Sequence, residues 1–185
     1  MRVLMIVSND VVHDARVLKE ARALHAAGHS VTLIGWDRSG RMPTHDTWEG
    51  MTVLRVSTRG TMRALPNDVF RNPMWWRRAY RLALSVPFDV VHCHDLDTLP
   101  VGVRLRRRTG HPLVYDCHEV FGYMIEEDVP RLVTRLAFRL ERRLAPQADY
   151  VVSVNPAVKA YIDRVTQKPS VIVQNCEEAV QPQYH

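Results

Sequence analysis

Two short runs hold the side chains most able to do chemistry, FDVVHCHDLDTLP at 88–100 and VYDCHE at 114–119. The first places His92 and His94 one residue apart, with Asp95 and Asp97 directly after them. The second brings Asp116, His118 and Glu119 within four positions. Imidazoles beside carboxylates suit general acid/base work, the orientation of hydroxyl groups, or metal ligation. A zinc set drawn from His94, His118 and Asp95 is conceivable. The HxHxDH run of metallohydrolases fails, however, because Leu96 stands where its aspartate is needed. No metal is expected. His92, one residue inside the apolar run, reads as a hydrogen-bonded core histidine.

Both runs follow apolar, β-branched segments, and their setting fixes what they can face. Seven such segments recur, at 3–7, 31–36, 53–56, 89–93, 113–117, 150–154 and 171–174. They are continuous rather than alternating, as strands buried on both faces of a parallel sheet should be. Helical patterns lie between them. Val17, Leu18, Ala21 and Leu24 share a face over 15–27, with Asp14 placed to cap the start and Gly28 the end. Leu132, Val133, Leu136, Leu140 and Leu144 form a stripe over 130–145 behind Pro130. The fold class is α/β, a Rossmann-like, doubly wound, mostly parallel sheet of about seven strands. Residues 37–50 and 57–72 lack periodicity and read as loops.

In such a sheet ligands sit beyond the carboxyl ends of the strands, where the strand order reverses. His94, Asp95, His118 and Glu119 stand at two such ends. The turn after the first strand, SNDVVHDAR at 8–16, stands at a third. It contains no glycine, so neither a dinucleotide fingerprint nor a P-loop is present. Asn9, His13 and Asp14 instead make a polar turn at a helix start, where free amides suit a phosphate or a hydroxyl-rich ligand.

Composition narrows the class further. The chain's 185 residues suffice for one core. Three scattered cysteines, Cys93, Cys117 and Cys176, form neither a disulfide framework nor a CxxC motif. The opening MRVLMIV is too short for a signal peptide, and no stretch approaches a membrane span. A cytoplasmic protein is expected. The net charge of +5 predicts attraction to anions. Trp75 and Trp76 beside Arg77, Arg78 and Arg81, together with Arg131, Arg135, Arg139 and Arg142 opposite the leucine stripe, suit peripheral contact with an anionic inner membrane face. Nucleic acid is not expected, since no recognition motif accompanies the charge.

These residues resemble the GT4 glycosyltransferases of GT-B fold. NDVVHDARVLKEARALHAAGHSVTLIGW (9–36) is similar to the branch in which an ND..HDARVLKEA pattern replaces the commoner Gly-Gly loop. FDVVHCHD (88–95), YDCHE (115–119), ADYVVSVNPAVKAYI (148–162) and VIVQNCEE (171–178) resemble later family segments, with Cys176 in place of a usual glycine. The resemblance implies the amino-terminal, acceptor-side half of a two-domain retaining enzyme, over residues 1–175, with 176–185 opening the linker. A donor lobe holding most of the nucleotide-sugar site would be supplied in cis or in trans, and the isolated domain would be inactive. His94 matches a histidine near the transferred sugar. Asn9, His13, Asp14, Asp95, His118 and Glu119 match substrate-binding positions. Implied partners are a nucleoside-diphosphate sugar and a glycan, lipid-linked or small-molecule acceptor, with no cofactor. The alternatives are a self-contained α/β binding module and, behind it, a small metallohydrolase.

Overall fold

The computed structural model describes residues 1–57 and 72–174. Most of the second expected loop, the Asn175–Cys176 pair and the expected linker at 176–185 lie outside the described residues. The chain forms an eight-stranded sheet in the order β3-β4-β2-β1-β5-β6-β7-β8. The strands are β1 (Arg2–Ile6), β2 (Ser30–Asp37), β3 (His45–Trp48), β4 (Met51–Ser57), β5 (Val90–His94), β6 (Leu113–Cys117), β7 (Tyr150–Ser153) and β8 (Val171–Ile172). Every pairing is parallel except that of β3 with β4. All seven expected strands form. The eighth, β3, lies in the stretch read as a loop, because His45–Trp48 carries no apolar run. It is an edge strand, held by backbone pairing to β4 and by Arg55, whose guanidinium reaches Asp46 at 3.1 Å and the Pro43 carbonyl at 3.2 Å.

The chain grows in one direction from β1 to β2 and β4, then returns to the other side of β1 as β5. The carboxyl ends of β1 and β5 therefore diverge into different loops, and a crevice is left between them. Helix α1 (Ala15–Ala26) packs on the face formed by Val3, Met5, Val31, Leu33 and Val53. Helices α2 (Asn72–Ala83), α3 (Leu99–Thr109), the short α4 (Phe121–Met124), α5 (Arg131–Leu144) and α6 (Pro156–Thr166) complete the α-helices among the described residues. Side chains from α2, α3, α5 and α6 join the larger core with Leu4, Ile6, Val91, Cys93, Leu113 and Tyr115.

Two features of this core escape a periodicity reading. Trp75 is fully buried and stacks on Trp36 with centroids 5.5 Å apart, so it is core and not an interfacial anchor. Trp76 is half-buried and donates its Nε1–H to the Asp97 carbonyl at 2.5 Å. On α5, Leu132 and Leu136 are exposed, while Thr134 and Glu141 are buried. Glu141 turns inward because two phenols meet it: the Tyr115 hydroxyl donates to Oε1 at 2.9 Å and the Tyr161 hydroxyl to Oε2 at 2.5 Å. The helix is thus rotated away from its leucine stripe by a buried polar contact that hydrophobic spacing does not encode.

Burial raises the Glu141 carboxyl above its ordinary value. The fold then binds that proton more tightly than the unfolded chain does, so its contribution to stability is lost as pH rises through the folded value. Urea unfolding should show Glu141→Gln gaining stability relative to the parent as pH rises above the ordinary carboxylate range, where the parent loses the contribution of the tightly held proton. Gly102 on α3 sits against β5 and β6. A Cβ there would overlap Cys93 Sγ and lie 2.7 Å from Leu113 Cδ1. Gly102→Ala should lower the urea midpoint, with a cost of about 1–3 kcal/mol.

Candidate functional site

The loop after β1 is locked by its own polar groups. Asn9 accepts the Val11 amide on its Oδ1 at 2.9 Å and donates Nδ2–H to Asp14 Oδ2 at 2.8 Å. Asp14 caps α1, accepting the Arg16 and Val17 amides at 3.2 and 3.3 Å. It also pairs with the Arg16 guanidinium at 3.2 Å. Burial pushes the Asp14 carboxyl up, but Arg16, Asn9 and the Val17 amide outweigh it and hold the group below its ordinary value. Val11 takes a left-handed φ of 76°, a strained state for a β-branched residue. The loop lies flat on Gly35 of β2, where an added Cβ would stand 2.7 Å from both the Asn9 carbonyl and Val11 Cγ2.

At the end of β5 the backbone also turns through a left-handed residue, Asp95, with φ 61°. Its amide donates to the Asp116 carbonyl at 2.9 Å, and its Oδ1 accepts the His118 amide at 3.1 Å. The ends of β5 and β6 are tied together by these bonds. Burial raises the Asp95 carboxyl to about 7, against the opposing pull of His118. Thr98 donates its hydroxyl to the His94 carbonyl at 2.7 Å and holds the turn from β5 into α3.

An open cavity of about 290 Å³ lies over the crevice, lined by Asn9, Asp14, Arg16, Arg38, His94, Asp95, Asp97 and Glu119, with Phe121, Met124 and Ile125 on one wall. A second, apolar groove of about 260 Å³ adjoins it and shares Asp97, Phe121 and Ile125; Trp76, Leu96, Val133, Leu136 and Leu140 form its floor and sides. Arg38 stacks over the Trp36 ring at 4.6 Å, which steadies its guanidinium at the rim.

Beneath the cavity three imidazoles stack under α1. His92 and His94 lie 4.4 Å apart between centroids, and His94 and His118 lie 5.6 Å apart. Asp116 is fully buried among them, its Oδ2 3.0 Å from His118 Nε2, 3.2 Å from His94 Nδ1 and 3.6 Å from His92 Nε2. None of these contacts has hydrogen-bond alignment, and both Asp116 oxygens lack a hydrogen-bond partner among the described residues. Glu20 of α1 approaches His92 Nε2 at 3.7 Å. Burial and the neighbouring imidazoles press His94 down to about 4, so its ring is neutral at physiological pH. Burial favours neutral His118 as well, but Asp116 and Asp95 override it and raise its value. The three imidazoles overcome burial at Asp116 and hold it ionised. Burial and the Asp116 charge raise Glu20 to about 8.

The structure brings Asn9, Asp14, His94, Asp95 and Glu119 to one cavity. His118 stands behind His94 and does not line that cavity. His13 points outward, its side chain 79% exposed and its Nδ1 2.9 Å from Asp10, beside a separate shallow pocket. His92 is buried as expected, but its Nε2 lacks the hydrogen bond expected of it. Arg16, Arg38 and Glu20 were not singled out from sequence. Arg16 and Glu20 stand on the helix beginning HDAR, and the 3.6-residue period places both beside the sheet centre once α1 is docked. Arg38 gives no local signal.

A mostly parallel, doubly wound sheet with a polar cavity at its reversal point defines a Rossmann-like α/β domain. The sequence profile of Glycosyltransferase Family 4 matches residues 15–176, and the chain belongs to that family. Its fold is that of the amino-terminal half of GT-B glycosyltransferases. Sucrose-phosphate synthase from Thermosynechococcus elongatus superposes with a TM-score of 0.72 at 16% identity, over 92% of this chain and 46% of that one. The catalytic domain of starch synthase IV from Arabidopsis thaliana, bound to ADP and acarbose, gives 0.63 at 16% identity, over 94% and 51%. Anabaena HepE in complex with UDP and glucose gives 0.54 at 16%, over 95% and 44%. The chain spans about half the length of these structures. None of the curated proteins matches it.

Asp14→Ala removes the cap of α1 and the anchor of Asn9 and Arg16 together. It should cost about 1–2 kcal/mol in urea unfolding, and native-state hydrogen exchange should show the loss concentrated in residues 9–20.

Proposed function

We propose that this chain is the acceptor-side half of a retaining glycosyltransferase that moves a sugar from a nucleoside-diphosphate donor to a hydroxyl-bearing acceptor. A second lobe, in cis or in trans, closes the cavity and binds most of the donor. The observation that carries this reading is the cavity itself: His94, Asp95 and Asp97 from the end of β5, and Asn9, Asp14 and Arg16 from the β1–α1 turn, converge at the reversal of the sheet. Family membership and the UDP- and ADP-bound structures of similar fold support the choice of donor.

The roles follow from chemistry. His94 Nδ1 is engaged by Asp116 and His118, which leaves Nε2 for a substrate hydroxyl. A neutral imidazole at that place orients the hydroxyl and passes a hydrogen bond to it. Arg16 and Arg38 answer the negative charge of the diphosphate. Asn9, Asp95 and Glu119 bind sugar hydroxyls. No cofactor or metal takes part in the transfer step. Alone, the domain transfers sugar poorly, because the leaving diphosphate lacks most of its stabilising contacts.

The adjoining apolar groove favours an acceptor with an apolar portion, such as a lipid-linked sugar. Its wall includes Leu136, and Leu136 and Leu132 are both exposed on α5 among Arg131, Arg135, Arg139 and Arg142. That surface would rest on an anionic membrane from the cytoplasmic side. No helix among the described residues is long and apolar enough to cross one.

The test is turnover of the complete two-lobed protein with a panel of nucleotide sugars and acceptors. His94→Ala should lower kcat by about 10²-fold or more while the circular dichroism spectrum remains that of a folded α/β domain. Arg38→Ala should act mainly through donor KM. Undiminished turnover of His94→Ala would remove that residue from the mechanism, and the absence of turnover with every sugar nucleotide would favour a binding module.

A further inference from the structure

The cluster beneath the cavity is larger than a hydroxyl-orienting histidine requires. Glu20, His94, Asp116 and His118 each offer one ligand atom, and these four atoms all lie within 4.8 Å of one another. Three of them form a tight triangle: Asp116 Oδ2 to His118 Nε2 is 3.0 Å, Asp116 Oδ2 to His94 Nδ1 is 3.2 Å, and His94 Nδ1 to His118 Nε2 is 3.3 Å. The edge of a tetrahedron built on metal–nitrogen and metal–oxygen bonds of about 2.0–2.1 Å is about 3.3 Å. The three atoms already stand at that spacing, and Glu20, whose oxygen lies within 4.8 Å of all three, can swing in from the helix above as the fourth ligand.

A second, independent observation points to an absent occupant. His94, Asp116 and His118 are 3%, 0% and 5% exposed, yet both oxygens of Asp116 lack a hydrogen-bond partner among the described residues. A buried carboxylate left without directed partners is costly, and a cation at the centre of the triangle would satisfy it. Charge points the same way. Binding would release the protons of Glu20 and His118, and the resulting two carboxylates and two neutral imidazoles sum to minus two, which one divalent ion cancels.

We propose that Glu20, His94, Asp116 and His118 form a four-coordinate site for Zn2+. A donor set of two imidazoles and two carboxylates is of borderline character, suited to zinc or cobalt rather than to magnesium or calcium. Glu20, whose side chain is 18% exposed, is the gate through which the ion enters. The ion is structural. It joins α1 to β5 and to the end of β6, three elements that carry walls of the cavity, and it sits behind His94 rather than in the cavity. With the ion on Nδ1, the His94 proton must reside on Nε2, so the ring presents a donor to the cavity. This inference holds whether or not the cavity takes a sugar nucleotide.

Tag-free protein, stripped with a chelator, is titrated with Zn2+ and Co2+ and followed by plasma mass spectrometry, visible absorption and thermal melting. One equivalent should bind with a Kd of about 1 μM or tighter. The Co2+ form should show the intense visible bands of a tetrahedral site, and the melting temperature should rise on the order of 5 °C. His118→Ala and Asp116→Asn should abolish stoichiometric binding, and His13→Ala, at the surface pair with Asp10, should leave it unchanged. Because the buried variants could fail to fold, Glu20→Gln serves as the second probe. With native circular dichroism it should weaken Co2+ binding at least 10-fold and distort the visible spectrum. The proposal is overturned if folded parent protein takes up no stoichiometric ion, or if Glu20→Gln binds Co2+ with unchanged affinity and spectrum. Sugar-transfer assays do not enter this test, so failure here leaves the functional proposal standing, and the reverse.

Discussion

A parallel sheet that reverses its direction of growth cannot seal the gap at the reversal. Between β1 and β5 the chain leaves by two diverging loops, and nothing in the backbone ladder fills the space between their carboxyl ends. Every other feature of the cavity depends on that gap. The Asn9–Asp14 turn descends one side, the His94–Asp95 turn the other, and Gly35 allows the first to lie close against β2. Left-handed backbone at Val11 and Asp95 stores strain on both sides, and the hydrogen bonds of Asn9 and His118 hold it.

Beneath the gap the sheet places imidazoles and carboxylates where an ordinary domain would place aliphatic side chains. Registry makes this compact: His94 pairs with Asp116 across β5 and β6, and Asp95 fastens the His118 amide just beyond. The resulting electrostatics are divided. His94 stays neutral, His118 and Asp116 support each other's charge, and Glu20 keeps its proton near neutrality. A cluster so balanced sets a neutral His94 ring at the cavity wall while the charged groups stay buried behind it. Family membership gives this geometry its context, since glycosyl transfer asks a protein for oriented hydroxyls and a home for diphosphate charge.

Much of this was legible in the residues themselves. Seven of eight strands, the Asp14 cap and the convergence of His94, Asp95 and Glu119 follow from apolar runs, capping chemistry and the rule that loops at strand ends carry ligands. The eighth strand did not, because β3 is an edge held by backbone pairing and the Arg55–Asp46 contact. The tryptophan pair misled in part. Adjacent Trp75 and Trp76 look alike in sequence, yet Trp75 meets Trp36 inside the core and Trp76 reaches the Asp97 carbonyl at the groove.

By itself the order of amino acids determined the α/β class, the location of the polar turns at the strand ends and the family, since these depend on local periodicity and on contiguous motifs. Only the tertiary structure decided which polar groups meet. His13 and Asp14 are neighbours in sequence, but one faces solvent and the other the cavity, because the α1 cap takes Asp14 inward. Glu20 and Asp116 are far apart along the chain and are joined only when α1 docks on the sheet. Glu141 likewise finds Tyr115 and Tyr161 only through packing, and that contact turns α5 against its leucine stripe. Long-range electrostatic pairing carries no local pattern, so it becomes visible only once the backbone has brought the partners within bonding distance.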